Sequence, residues 1–428
     1  METTKISESL SLKAVIIAAL ILLSLIPNAM IMILIKDRQD RSVETIRKIN
    51  EKWSLEQTLA GPILTIPYSS YSSDSQVKKL EMHELHLAPE NVKMSVRLFP
   101  EERHYGIYKT ILYKSEIRIT GNFAPITNLP ENADCNRAYL SLEISDLRGI
   151  TNRLSFTVNN KEYATEAGTS SIPELKRLIA PIKGVINPTE ETPIDFECRL
   201  NLNGSQGIDF IPVGNTTNIE VEGNWKDPGF VGNFSPQYAI TDSGFKATWN
   251  VMSFNRSIPE RWTEQNFVDF QGASFGVNLV DSVDHYQQNM RSAKYSILFV
   301  TLTFVVFFFV EVLSKKRIHP IQYLLVGFAL LLFYTLLLSL SEQINFAWAY
   351  LISTLATIVL ITAYAFGIFK NKTETIILAL ILGLLYTYLY IILQLEDIAL
   401  LIGSIGLFVI LGIIMYLSRK IKWYNTEK

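Results

Sequence analysis

The sequence predicts an α+β membrane protein with a large extracytoplasmic, antiparallel β-rich, sandwich-like domain and six transmembrane helices, one N-terminal and five C-terminal. Three observations lead there. Six long apolar runs occur, one near the start and five in the last third. Between the first and second runs, from about residue 63 onward, the hydrophobic period is two. The connections between the later runs alternate in basic charge. Of the 428 residues, 48% are hydrophobic and 19% charged. The charged share is below the roughly 25% of an average soluble domain, and the deficit lies in residues 295–417.

Residues 1–13 precede the first run, Ala14–Ile35, which has 22 residues without a charge. About 20 apolar residues cross the hydrocarbon core as a helix. The run is too long for the apolar part of a secretory signal, and no small-x-small site follows it, so residues 14–35 are expected to be an uncleaved signal anchor. Pro27 within it is tolerable where other groups re-satisfy the carbonyl it frees.

The stretch 36–294 is expected to be a periplasmic, β-rich domain opening with a helix over 38–58. Val43, Ile46, Ile49 and Trp53 recur at roughly helical spacing, and Gly61-Pro62 ends the pattern. Strict alternation marks strands at Val92–Leu98, Leu140–Ser145, Leu154–Val158, Ile194–Leu202 and Ile219–Glu222. Turn signals fall at Asn203-Gly204, Val213-Gly214-Asn215, Asp227-Pro228-Gly229 and Asp242-Ser243-Gly244. Asn159-Asn160 and Ala164–Ser171 read as surface loops. Of the two cysteines, Cys198 shares the apolar strand face of Phe196 and Leu200, and Cys135 precedes a strand. A disulfide can form on the exported side, but a small buried free thiol is the simpler expectation.

The five later runs are Ser296–Leu313, Tyr323–Leu340, Phe346–Phe369, Ile376–Leu393 and Ile398–Leu417, each of 18 to 24 residues. They form the expected five-helix bundle, 295–417, before a tail at 418–428. Lys315, Lys316 and Arg317, then Lys370 and Lys372, then Arg419, Lys420 and Lys422 occupy alternate connections; the intervening ones hold only Glu342, Glu396 and Asp397. Short basic loops stay in the cytoplasm. Both termini and the tail are therefore expected in the cytoplasm, and the β-rich stretch outside.

No chemical site is expected: no catalytic residue, no cofactor, no metal. His83-Glu84-Leu85-His86 has the wrong spacing for a helical zinc-protease motif, and a strand would put the two histidines on opposite faces. Pro212-Val-Gly214 is a turn with no helix pattern after it, so it cradles no phosphate. The remaining candidates are polar groups of the spans: Glu311 near the end of the second, His319 and Gln322 opening the third, and Glu342 closing it. An ionisable group inside a span is a functional hypothesis. These lie near interfaces, where helix-end pairing is cheap, and Glu311 is placed to meet Lys315, His319 or Gln322. No span carries a charge at mid-depth, which argues against a proton-coupled carrier.

Several ordered pieces carry a resemblance. They are Trp53…Gln57…Gly61-Pro62 with Ile66-Pro67-Tyr68; Tyr105-Gly106-Ile107-Tyr108 with Gly121-Asn-Phe123; Asp146-Leu-Arg-Gly149; Leu202-Asn-Gly204-Ser205; Pro212-Val-Gly214; Trp225-Lys-Asp-Pro228-Gly-Phe230-Val-Gly232; and Gly244-Phe-Lys-Ala-Thr-Trp249. The membrane entry follows with Lys294-Tyr295, Leu298-Phe299, Glu311, His319-Pro320-Ile-Gln322-Tyr323, Gly327, Phe333-Tyr334, Glu342, Phe346 and Tyr350. On these the chain resembles the CreD family of inner-membrane cell-envelope proteins from about residue 40 to 360. His104-Tyr105-Gly106 departs from the family, which has Arg just before the glycine. The resemblance implies a role in envelope integrity, tied to a sensor-kinase response, and supplies no catalytic residue or substrate. The expected function is therefore non-enzymatic binding or signalling through the exported domain. Its partners would be the lipid bilayer and other envelope proteins or cell-wall components, not nucleic acid. The alternatives are a transporter or channel with a periplasmic capture or gating domain, and a membrane enzyme acting on lipid or wall precursors.

Overall fold

The computed structural model describes residues 10–71, 80–170, 172, 174–187, 192–264, 266, 268–279, 285–313, 318–395 and 398–419. It divides into two compact units, Met1–Ser42 with Val283–Lys428, and Val43–Ser282.

A single helix, α1 (Leu10–Asn50), takes up the first span and most of the segment expected as a second helix. The expectation of helix over 38–58 is corrected at its end: the chain turns after Asn50, and Gln57 already begins a strand. No breaker separates the apolar run from the polar one. The pairs Glu44–Lys48 and Arg47–Glu51, four residues apart, support the last turns.

The larger unit holds two sheets. The first runs β13 (Gly229–Gly232), β17 (Phe275–Asn278), β11 (Gly207–Ile211), β1 (Gln57–Tyr71), β5 (Tyr139–Ile144), β9 (Lys176–Pro181) and β8 (Glu166–Gly168). Strand β2 (Leu80–Leu87) pairs with the far half of β1, and β16 (Arg261–Thr263) with β2. The second runs β14 (Gln237–Thr241), β15 (Gly244–Met252), β12 (Thr216–Gly223), β3 (Asn91–Tyr105), β4 (Tyr108–Phe123), β10 (Ile194–Ser205), β6 (Ser155–Val158) and β7 (Lys161–Ala164). Both sheets contain a parallel pair, β1 with β11 and β12 with β3, so they are mixed rather than wholly antiparallel.

One core joins the two sheets. Val92, Met94, Val96 and Leu98 of β3 alternate into it with Cys198 and Leu200 of β10, Trp249 of β15, and Leu140, Leu142 and Ile144 of β5. Cys198 is buried and Cys135 partly so, and both are free thiols. The outer face of the first sheet is covered as well: Ala60, Ile63 and Ile211 pack under Ile258, Trp262 and Phe270. That is why β1 is buried on both faces; β5 is not half-buried as its alternation suggests, since its outward Glu143 is covered by Arg177 and Ser170.

Several turn expectations change. Asp242-Ser243 does make the β14–β15 hairpin, and Asn159 and Asn160, with φ 46° and 66°, turn β6 into β7. Asn203-Gly204 is no turn but lies inside β10, where a Cβ on Gly204 would meet the Tyr113 hydroxyl at 2.2 Å. Gly61-Pro62 lies inside β1 at a register shift instead of ending an element. Asp227–Gly229 joins β12 to β13, which belong to different sheets. Ala164–Ser171 contains β8 rather than being all loop.

In the other unit α2 (His285–Lys294) precedes α3 (Ser296–Leu313), bent by 42° at the break between them. Then come α4 (Pro320–Ser341), α5 (Phe346–Phe369), α6 (Lys372–Gln394) and α7 (Ala399–Ser418). Among the described residues, α1, α4, α5 and α6 are long and apolar enough to cross a membrane, and the α2–α3 pair makes a fifth if counted as one span. Helix α7 carries a shorter apolar stretch, Leu401–Tyr416.

Candidate functional site

In the helical unit, polar groups hold α1 to its neighbours at three levels. At one end the Lys13 ammonium lies 2.5 Å from Glu311 Oε1. The same oxygen accepts the Ile318 N–H at 3.1 Å, while Oε2 accepts the Tyr323 hydroxyl at 2.9 Å. Glu311 is only 3% exposed. Midway, the Ser296 hydroxyl donates to Asn28 Oδ1 at 2.5 Å, next to Pro27. At the other end Arg38 lies 4.0 Å from Glu342, which also accepts the Tyr286 hydroxyl at 3.2 Å.

The four residues singled out by sequence thus part company. Glu311 sits where α3 ends and α4 begins. Its partners are Lys13, Ile318 and Tyr323 rather than His319 or Gln322; Lys315 lies outside the described residues. His319 and Gln322 serve each other: His319 Nδ1 accepts the Ile321 N–H at 3.3 Å, and Gln322 Oε1 accepts the His319 N–H at 2.9 Å, a capping box ahead of Pro320. Glu342 caps the far end of α4, about 33 Å away at 1.5 Å of rise per residue. With Lys13 and Ile318 on one oxygen and Tyr323 on the other, Glu311 ties α1 and the start of α4 to α3. Lys13, Tyr323, Asn28 and Ser296 escaped the sequence reading. The available signals were Lys13 at the edge of the first apolar run and Asn28 within it.

In the β unit, several motif pieces converge on Gln57, which is wholly buried. Its Nε2 donates to Ser54 Oγ at 2.7 Å, the Asp146 carbonyl at 3.1 Å and the Asn203 carbonyl at 3.0 Å. Gly149 closes the node: a Cβ there would come 2.2 Å from the Asn203 carbonyl oxygen. Burial alone would raise the Asp146 carboxyl, but Arg148 and the Leu55 and Arg148 amides outweigh it and hold the group at about 2.

A second polar row crosses the outer face of the first sheet. Arg177 Nε meets Glu143 Oε1 at 2.6 Å, and both side chains are almost fully buried. Tyr139 donates to Glu84 at 2.7 Å. His86 Nδ1 lies 2.9 Å from Thr65 Oγ1, its ring 5.5 Å from that of Trp262. Burial, and after it the Arg177 guanidinium, push His86 down to about 4. His83, three residues away, packs on Tyr68 instead. Among the described residues no group of three or more His, Cys, Asp or Glu could hold a metal ion.

These features lie in a chain whose sequence matches the profile described as inner membrane protein CreD over residues 9–424. The inner membrane protein CreD of Escherichia coli (strain K12) is 30% identical over 419 residues, covering 94% of this chain and 91% of that protein. The chain therefore belongs to the CreD family of inner membrane proteins.

Proposed function

We propose that this is a non-enzymatic, multi-pass protein of the cytoplasmic membrane that contributes to envelope integrity, with its β unit in the periplasm and both termini in the cytoplasm. In this reading all six apolar helices cross, α2 and α3 counting as one, and α1 is a signal anchor. The β unit engages an envelope component and the helices anchor it. The observation that carries the non-enzymatic reading is Glu311. The most conspicuous acid of the spans is engaged by Lys13, Ile318 and Tyr323, which gives it a structural task in tying α1 to α3 and α4. The basic loops of the C-terminal half support the orientation. One observation favours the transporter alternative: the buried hydroxyls of Thr303, Tyr334 and Ser353 have no hydrogen-bond partner among the described residues.

Two measurements test the reading. An alkaline-phosphatase reporter inserted at the Lys183-Gly184 turn is expected to be active and one at Lys370-Asn371 inactive; the reverse pattern overturns the orientation. Crosslinking and affinity purification from membranes are expected to recover envelope partners. Substrate flux in reconstituted vesicles without such partners overturns the function in favour of transport.

A further inference from the structure

The arm formed by β3 and β4 carries exposed aromatic side chains that the fold does not use. Phe99, Glu101, Arg103 and Tyr105 are spaced by two, so they share a face of β3 opposite the core residues Val92–Leu98. Phe99 is 43% exposed and Tyr105 46%. Strand β4 sets Lys114 directly across from Phe99. The end of α1 and the turn after it close over this face. The Thr110 hydroxyl donates to Asn50 Oδ1 at 2.8 Å, and the Trp53 indole N–H reaches the Tyr113 carbonyl at 3.5 Å. Between them lies a cleft of about 480 Å³ whose walls include Lys52, Trp53, Phe99, Arg103, Tyr105 and Lys114. That volume is within the usual range for a small-molecule site, roughly 300–1,000 Å³.

The geometry points to a binding site for an acidic saccharide, a sugar bearing a carboxylate. Three aromatic rings in a cleft open to water suit a ligand with C–H faces and solvated hydroxyls. A sugar ring packs on an indole or phenol face and keeps its hydroxyls wet, whereas a wholly apolar ligand gains little in so polar a rim. Three cations against one carboxylate select for negative charge. That carboxylate, Glu101, is engaged by Arg103 at 2.8 Å, which leaves Lys52 and Lys114 as the cations facing a ligand. An extended acidic peptide fits less well. Pairing of β3 with β12 stops at Leu98–Gly223, and on the edge beyond it Pro100 offers no N–H to a third strand. The site deepens the proposal of an envelope-facing β unit by naming the chemistry it would meet. Its test does not depend on orientation, since solubilised protein exposes the cleft either way.

The experiment is calorimetric titration of the full chain in detergent micelles. The probes are the disaccharide of N-acetylglucosamine and N-acetylmuramic acid, its neutral carboxamide, a hexapeptide of glutamate, and the same disaccharide carried on a polyprenyl diphosphate. The acidic disaccharide is expected to bind at least roughly tenfold tighter than the carboxamide, about 1.4 kcal/mol. Lys52→Gln and Lys114→Gln are each expected to weaken it several-fold and to lower its salt dependence, with melting temperature unchanged because both side chains are exposed. Trp53→Ala is expected to abolish binding, and Trp53→Phe to restore part of it. Stronger binding of the lipid-linked form identifies a membrane source of the sugar; equal binding identifies the soluble polymer. Equal affinity for the acid and the carboxamide overturns the inference. So does unchanged binding by the Lys52→Gln/Lys114→Gln double variant, or binding of the hexapeptide without the disaccharide. Absence of saturation by any sugar at millimolar concentration overturns it too, leaving the orientation measured by reporter fusion intact.

Discussion

The two units bury charge in different ways. In the β unit the buried pair Glu143–Arg177 joins residues directly opposite on adjacent strands, and Glu84, Tyr139 and Ser170 add hydrogen bonds around it. In the helical unit the contacts Lys13–Glu311 and Asn28–Ser296, which tie α1 to another helix, span 298 and 268 positions of sequence. The β unit can use a dense local network because the sheet places its partners for it. The helical unit uses a few isolated contacts because side-chain packing supplies most of the association between spans, and one hydrogen bond adds little beyond it. Loss of a charge partner is therefore expected to cost more in the β unit than in the membrane.

The largest expected effect tests that comparison directly. Arg177→Ala leaves Glu143, which has no exposed surface, without its cation. Such a loss costs roughly 3–5 kcal/mol. Chemical denaturation of the full chain, followed by protection of the β unit from proteolysis, measures it. The double variant Glu143→Leu/Arg177→Met is expected to recover most of the loss. If Arg177→Ala costs no more than a surface substitution, the network is not holding the sheet.

Protonation probes the same face. An ordinary imidazole titrates near 6.5, and burial and Arg177 hold His86 down to about 4, with Glu84 pulling the other way. The unfolded chain therefore binds this proton more readily than the folded one. Stability from the neutral ring is fully present above about pH 6.5 and is lost as the pH falls toward 4. The full swing amounts to about 3 kcal/mol. His86→Gln is expected to flatten the pH dependence of β-unit stability between about 6.5 and 4 relative to the parent chain. An unchanged slope would show that His86 carries no part of it.

Much of this arrangement is readable in the sequence where a single physical signal dominates. Ser296–Leu313 and Phe346–Phe369 come out as helices with the bounds expected of them, since an apolar run between charges has nowhere else to go. Val92–Leu98 shows its strand because one face is solvated. Strand β1 hides its own: Leu59–Ile66 is buried on both faces, so no alternation appears, and Gly61-Pro62 reads as a terminator. Helix α2 is short and polar, so it shows neither an apolar run nor an apolar stripe in the sequence. Gly204 reads as a turn glycine, whereas its role is to let the Tyr113 ring approach. The partners of Glu311 were out of reach for a different reason. Lys13 is 298 residues away, and only the packing of α1 on the bundle brings it close. Pairings of that range, like those of β1 with β11, leave no local trace.

The same distance makes Glu311 the sharper membrane test. Glu311→Gln keeps one acceptor oxygen, which can still take the Ile318 N–H while the new NH2 donates to the Tyr323 hydroxyl oxygen, and it loses the charge facing Lys13, which is about one-third exposed. Polar contacts between spans average about 0.6 kcal/mol and reach about 1.7 at most. A loss in that range is expected in thermal unfolding, with normal membrane abundance and a mild phenotype under envelope stress. A Lys13→Met/Glu311→Gln double variant is expected to lose little more than either single change, because the two side chains act on one contact. A null phenotype at normal abundance would instead make the charge functional and favour the transport reading.

The smallest effect is expected at His319. Its imidazole accepts the Ile321 N–H, and Gln322 reaches back to the His319 N–H, so the pair satisfies two amide groups at the start of α4. In a water-soluble helix a cap of this kind is worth about 1 kcal/mol. Here the helix it starts runs through 22 residues, Pro320–Ser341, whose backbone bonds are enforced by an apolar surround. The capped end is exposed, so water replaces the lost acceptor. His319→Ala is therefore expected to lower stability by less than about 1 kcal/mol, and His319→Asn by less still, since asparagine is itself a good cap. Thermal unfolding in the same detergent as Glu311→Gln ranks the two positions. If His319→Ala abolishes complementation while unfolding at the parent temperature, the imidazole has a task beyond capping, and the polar residues at the two ends of α4 would no longer be comparable.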